Sequence, residues 1–228
     1  FEMNGGTVKN GRAGSAGNIY LDGTAEFVLN GGTITGGRAT DKGRQGGNLN
    51  IGAKATFTMN GGSVTGGSTK GSSGNIYLSG TMQMNSGTIS GGLNIQSPVV
   101  TEISGKPVIS GNAAYNLRLS SGAENATFGD LETGAEVYIS ANKMNEPIAT
   151  IANLEDKVFL FGENGDVVEV NEQKQVYIKA THVHCDCGSG TLDGVGEHTC
   201  NNNKGWVKWS DGTKLPTASG NYYLSTDV

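Results

Sequence analysis

The chain has 228 residues, 38 of them glycine, with 16% charged residues and a net charge of −5. Glycine stands at more than twice its usual share of about 7%, yet there are only 4 prolines and no Gly-X-Y period, which excludes collagen; apolar residues recurring between the glycines in fixed contexts exclude a flexible linker. The negative balance gives no field for nucleic acid or anionic membrane, and the apolar runs are too short to span a bilayer.

The sequence opens inside a repeat, at Phe1-Glu2-Met3-Asn4-Gly5-Gly6-Thr7-Val8, with neither start methionine nor signal peptide. It is therefore expected to be a piece of a larger protein. The opening returns as Phe27-Val28-Leu29-Asn30-Gly31-Gly32-Thr33-Ile34-Thr35 and as Phe57-Thr58-Met59-Asn60-Gly61-Gly62-Ser63-Val64-Thr65. A fourth copy is Met82-Gln83-Met84-Asn85-Ser86-Gly87-Thr88-Ile89-Ser90, so the asparagines at 4, 30, 60 and 85 lie 26, 30 and 25 residues apart. A second element keeps step with the first: Gly17-Asn18-Ile19-Tyr20-Leu21, Gly47-Asn48-Leu49-Asn50-Ile51 and Gly74-Asn75-Ile76-Tyr77-Leu78.

Each element alternates apolar and polar residues over a few positions, the signature of a half-buried strand. Ile19 and Leu21 share one face; Phe27 and Leu29 share another; Ile34 sits between Thr33 and Thr35. No helix-length pattern separates the strands, so βαβ architecture is excluded. Three strands per period of about 25–30 residues, joined by Gly and Asn turns, predict an all-β, right-handed parallel β-helix. One such coil cannot bury its apolar face alone; stacked coils bury a continuous column.

Asn4, Asn30, Asn60 and Asn85 are expected to stack at one corner, and Asn18, Asn48 and Asn75 at another, with amides bonded from coil to coil. Asn tolerates the left-handed backbone that a sharp corner needs, and the glycine after it does so at no steric cost. The stretches 9–16, 38–46 and 68–73 are rich in Gly, Ser, Lys and Arg and are expected to be loops of changing length leaving one corner.

The pattern loosens after about residue 93. Pro107 to Asn112 and Asn116-Leu117-Arg118-Leu119 predict a further coil, and Glu136 to Ile139, Lys157 to Phe161 and Asp166 to Lys179 further strands. The expected organisation is coils over 1–140, a β-rich cap over 141–180, a Cys/His-rich linker over 181–204, and the start of another β-module over 205–228.

All three histidines and all three cysteines fall in one short stretch: His182, His184, Cys185, Cys187, His198 and Cys200. Imidazole nitrogen and thiolate sulfur are the ligands a tetrahedral zinc prefers, so about four of the six are candidates for one structural zinc. A disulfide, Cys187–Cys200 or Cys185–Cys200, and free thiols are the other readings. A nucleophilic Cys-His pair lacks an orienting third group in the sequence.

The Asn-Gly-Gly-Thr-Ile coils, the Pro107-Val108-Ile109-Ser110-Gly111-Asn112 stretch and the strand-rich cap resemble repetitive, adhesin-like surface proteins of gut anaerobic bacteria with pectate-lyase-like β-helix modules. So do Thr181-His182-Val183-His184-Cys185-Asp186-Cys187-Gly188, Trp206 to Trp209, Leu215-Pro216 and Gly220 to Leu224. The resemblance implies a modular cell-envelope protein, secreted or on the bacterial cell surface, next to further modules of the same chain. It names no ligand.

Catalysis would need other residues. A glycosidase needs a carboxylate pair, and a lyase needs Ca²⁺-binding acids with a basic proton acceptor. Acids are sparse in the regular coils (Glu2, Asp22, Glu26, Asp41), and no acid recurs at Gly52-Ala53 or Ser79-Gly80. The expectation is a non-catalytic module, a stiff spacer that binds host or dietary glycans or surface proteins; a polysaccharide-active lyase or glycosidase is the alternative. Tyr20, Asn50, Tyr77 and Arg118 are the candidate sugar-binding stripe, since outward aromatics beside amides suit stacking on sugars. An ice-binding surface is disfavoured by the lack of a regular Thr-x-Thr array.

Overall fold

The computed structural model describes residues 1–43, 46–70, 74–95, 101–110, 116–119, 126–141, 146–154, 159–162, 167–179, 206–209 and 221–224. They fall in two units, Phe1–Ile178 and Lys179–Val228. The described residues are all-β, and the first unit is a parallel β-helix.

Its first coil supplies β1 (Glu2–Met3), β2 (Thr7–Lys9), β3 (Arg12–Ala13) and β4 (Ile19–Leu21). The second supplies β5 (Glu26–Leu29), β6 (Thr33–Thr35), β7 (Arg38–Ala39) and β8 (Leu49–Ile51), and the third β9 (Thr56–Met59), β10 (Ser63–Thr65), β11 (Ser68–Thr69) and β12 (Ile76–Leu78). In the fourth and fifth coils the first two strands fuse, so that β13 (Thr81–Ser90) is followed by β14 (Leu93–Ile95) and β15 (Thr101–Ser110) by β16 (Leu117–Leu119); in the sixth, β17 (Ala126–Leu131) stays separate and β18 (Glu136–Ala141) fuses the second and third. Every pairing among these strands is parallel, with each coil's strand lying beside its counterpart one coil away.

Registers put like residues in columns. Phe27 lies against Phe57 and Phe57 against Met82; Ile34 lies against Val64 and Val64 against Ile89; Leu49 lies against Ile76 and Ile76 against Leu93. All these side chains are buried. The rings of Phe1, Phe27 and Phe57 stack with centroids 5.5 and 5.4 Å apart, an offset arrangement that aromatic quadrupoles favour. Each fully buried Leu, Ile or Phe contributes about 1.5–3 kcal/mol of transfer free energy, so the columns are the main source of stability.

The motif disappears after residue 93, but the stacking continues. The fourth coil is short: Ile76 pairs with Leu93, 17 residues on, against 27 from Leu49 to Ile76. β19 (Pro147–Leu154) and β20 (Phe159–Gly162) still stack in parallel on β17 and β18. Beyond them come β21 (Val167–Val170) and β22 (Gln175–Lys179), and β22 runs antiparallel to β19. A turn closed by Asn171, whose Oδ1 accepts from the Gln175 N–H at 2.9 Å, separates these two strands. An antiparallel strand breaks the parallel register that another coil would need.

Two expectations are corrected. The first three coils have four strands rather than three, because part of each expected loop is itself a stacked strand: β3, β7 and β11 pair in parallel. The left-handed turn of Asn-Gly-Gly falls not on the asparagine but on the second glycine, with φ of 83° at Gly6, 95° at Gly32, 76° at Gly62 and 106° at Gly87. The fourth copy, Asn85-Ser86-Gly87, keeps that glycine and replaces the first one, as the backbone requires.

The second unit, as far as it is described, holds β23 (Trp206–Trp209) and β24 (Asn221–Leu224), paired in parallel.

Candidate functional site

The corner where the variable loops leave and return is built around the Gly-Asn pairs. In the second coil Asn48 Nδ2 donates to Asn75 Oδ1 at 2.6 Å and to the Thr65 carbonyl at 2.7 Å. Its Oδ1 accepts from Asn18 Nδ2 at 2.7 Å and from the Gly37 N–H at 2.8 Å. The amide is fully buried and makes bonds to four groups, so it carries no unpaired polar atom into the interior. Asn18 and Asn75 repeat the scheme: their Oδ1 atoms accept from the N–H groups of Gly11 and Gly67, both at 2.8 Å. Asn75 Nδ2 donates to the carbonyls of Ser90 and Gly91.

Each of these bonds ties the residue where a loop departs to the residue where it returns. The pairs are Gly11 with Asn18, Gly37 with Asn48 and Gly67 with Asn75. The spans they close are 7, 11 and 8 residues, so one clamp serves loops of different length. Asparagine and loop occur together along the stack. The register puts Gly92 beside Asn75, where only Gly91-Gly92 separates β13 from β14. It puts Asn116 beside Gly92, after the segment 111–115, and Tyr138 beside Asn116, inside the uninterrupted β18. Coils without a loop thus lack the asparagine.

The glycine of each pair has its own reason. At Gly47 a Cβ would stand 2.2 Å from the Ser68 nitrogen and 2.3 Å from the Gly74 carbonyl oxygen; at Gly17 it would stand 2.0 Å from the Arg38 nitrogen. The loop strand of one coil crosses directly over these glycines.

The second asparagine ladder forms at another corner, as expected. Asn30, Asn60 and Asn85 each donate to the asparagine of the preceding coil at 2.8 Å, and Ser104 continues the line to Asn85 at 3.1 Å. This ladder is solvent-exposed.

The four candidate sugar-binding residues do share one row. Tyr20 pairs with Asn50, Asn50 with Tyr77, Tyr77 with Asn94, and Asn94 with Arg118. The row is not an open aromatic face: Tyr20 is 55% exposed, whereas Tyr77 is 3% and Asn50 7% exposed. Arg118 is half-buried. Returning loop arms lie against this row. The Ser15 carbonyl accepts from Asn50 Nδ2 at 3.2 Å, and Gly46 packs on the backbone of Tyr77. An arm from one coil covers the row in the next, which leaves the first coil's Tyr20 outside. Sequence alternation identified the row but not what folds over it.

Rows of hydroxyls do recur, although within them Thr-x-Thr itself stands only at Thr33 and Thr35. Thr33, Ser63 and Thr88 form one row beside Ile34, and Thr35, Thr65 and Ser90 the other. Ser63 Oγ donates to Thr33 Oγ1 at 3.1 Å and Thr65 Oγ1 to Thr35 Oγ1 at 3.3 Å. At the head of these rows stand Thr7 and Lys9. Round the corner, Arg12 pairs with Arg38 and Arg38 with Ser68 in the loop strands.

The candidate zinc ligands His182, His184, Cys185, Cys187, His198 and Cys200 lie outside the described residues. Among the described residues no group of three or more His, Cys, Asp and Glu could hold a metal ion. Comparison of the chain with family models, with curated proteins and with solved structures finds no match.

Proposed function

We propose that the chain is a non-catalytic, adhesin-like module of a secreted or bacterial cell-surface protein, a stiff coil stack that presents loops of different length along one corner. The observation that carries this reading is the clamp at the loop base, which is built alike for spans of 7, 11 and 8 residues. A scaffold that holds loop ends rigidly while loop length varies is the arrangement by which loops carry recognition. The partners would be host or dietary glycans or surface proteins.

The test is to insert six Gly/Ser residues between Lys42 and Gly43. Closing a longer loop costs only about 0.6 kcal/mol per doubling of its length. Urea unfolding should therefore shift by less than about 1 kcal/mol, while adhesion to immobilised glycans or surface proteins changes. Release of new reducing ends or unsaturated products from polysaccharides would overturn the reading in favour of a lyase or glycosidase.

For the Cys/His-rich segment the proposal is one structural zinc held by about four of its six nitrogen and sulfur donors. Metal analysis of purified protein should find about one zinc per chain, and all three cysteines should titrate on unfolding with a chelator. No metal and a single thiol would mean a disulfide instead.

A further inference from the structure

The charge of this chain is segregated along the sequence. Residues 9–16, 38–46 and 68–73 carry Lys9, Arg12, Arg38, Lys42, Arg44 and Lys70 against Asp41 alone, a net +5 in a chain of net −5, so the remainder carries −10. The coil register sharpens this segregation. Arg12 and Arg38 are directly paired on adjacent parallel strands, and both are exposed. Neighbouring strands lie about 4.8 Å apart, and like charges directly opposite one another are destabilising. No carboxylate among the described residues comes within ion-pair distance of either guanidinium; the one ion pair among them joins Lys106 of the fifth coil to Glu132 of the sixth.

We infer that the loop corner of the first three coils is a docking strip for a linear acidic polysaccharide, one bearing sulfate or carboxylate groups along its length. The guanidinium fork of Arg12 and Arg38 takes such oxyanions in bidentate fashion. Lys9, in register with Thr35, and Lys42, four residues on from Arg38, add charge. The hydroxyls of Thr33, Thr35, Ser63 and Thr65, immediately round the corner, present donors and acceptors of the kind that sugar rings require. A single extended chain can follow this ridge. A nucleic-acid duplex is disfavoured by the net charge of −5 of the whole chain. The strip rests on the display reading only in that the loops are presented to solvent; a soluble-polymer assay can fail while adhesion through other chemistry persists.

The experiment is affinity electrophoresis of the full chain in gels carrying dextran sulfate, carboxymethyl dextran or plain dextran. Retardation is expected in one or both anionic gels, with the two arms separating sulfate from carboxylate, and none in plain dextran. It should weaken as salt rises. Arg12→Gln with Arg38→Gln should cut affinity at least about tenfold, whereas the charge-matched Lys54→Gln with Lys106→Gln should leave it within about twofold, since rim charges act locally. Lys9→Gln with Lys42→Gln is the second strip variant, should the arginine pair disturb folding, and should weaken binding in the same direction. Equal loss in strip and control variants, no retardation in either anionic gel, or duplex DNA bound as tightly through the same residues would each overturn the inference.

Discussion

Gly47→Ala is expected to abolish the native stack rather than weaken it. The added methyl would lie 2.2 Å from the Ser68 nitrogen, 2.3 Å from the Gly74 oxygen and 2.7 Å from the Gly67 carbonyl carbon. All three are backbone atoms, and two of them are held by hydrogen bonds: the Ser68 N–H donates to the Gly37 carbonyl, and the Gly74 carbonyl accepts from Gly47 itself. No side chain can rotate away, so relief requires lifting β11 off the corner or parting the second coil from the third. Either exposes columns that contribute about 1.5–3 kcal/mol per large side chain. Gly5→Ala is the control. Nothing stands within 4 Å of its Cβ position, and Gly5 is not among the glycines with a left-handed φ. It should be neutral or raise stability by up to about 1 kcal/mol through the unfolded chain. Circular dichroism and urea unfolding would decide; a cooperative transition for Gly47→Ala near that of the parent would mean the corner can open without cost.

Asn48→Ala should be the most damaging side-chain truncation at the loop corner. It leaves the Gly37 N–H and one Asn18 donor without a partner, and takes from the Thr65 carbonyl and the Asn75 Oδ1 one of two donors each, the others being the N–H groups of Gly36 and Gly67. A buried polar group left unsatisfied costs about 1–3 kcal/mol. With two of them the loss should be about 2–6 kcal/mol, in the range of broken buried networks. Asn60→Ala removes the same side chain from the other ladder, where Asn60 donates to Asn30 and accepts from Asn85 in the open. Water replaces those partners, so the cost should be about 0.5–1 kcal/mol. The measurement is the urea midpoint at unchanged m-value. Equal losses in the two variants would mean that the buried amide is no more than a spacer between coils.

The fold was legible because a parallel coil repeats its side chains at register positions, and the sequence shows that repetition twice over. Phe27 with Phe57 and Asn30 with Asn60 could be matched before any geometry was known, and both pairs lie in register. After residue 93 the legibility fails for a physical reason. A column such as Ile89, Ile109 and Val137 needs only apolar shape, and once the loops and the outer asparagines go, no spacing in the sequence marks the coil. The inner ladder of Asn18, Asn48 and Asn75 was legible and forms; the clamp that the same amides make on the loop bases was not. Its signal was present in the glycines at 11, 37 and 67, which open each loop, but a hydrogen bond from a backbone N–H to a side chain leaves no periodic trace. Burial of Tyr77 was illegible because alternation says which face a side chain takes, not what folds across that face later.

The two ladders run in opposite senses. Each outer amide donates to the coil before it, and each inner amide from Asn18 to Asn48 to Asn75 donates to the coil after it. A coil copied in tandem within the gene would therefore arrive with a donor and an acceptor correctly placed on both faces and join either ladder without a mismatch. Loop and clamp lie within one such unit and would be inherited together. Unequal recombination between repeats could change the length of the rod, and insertions between the codons of Gly37 and Gly46 could change what a coil displays. Neither change would have to wait for the other.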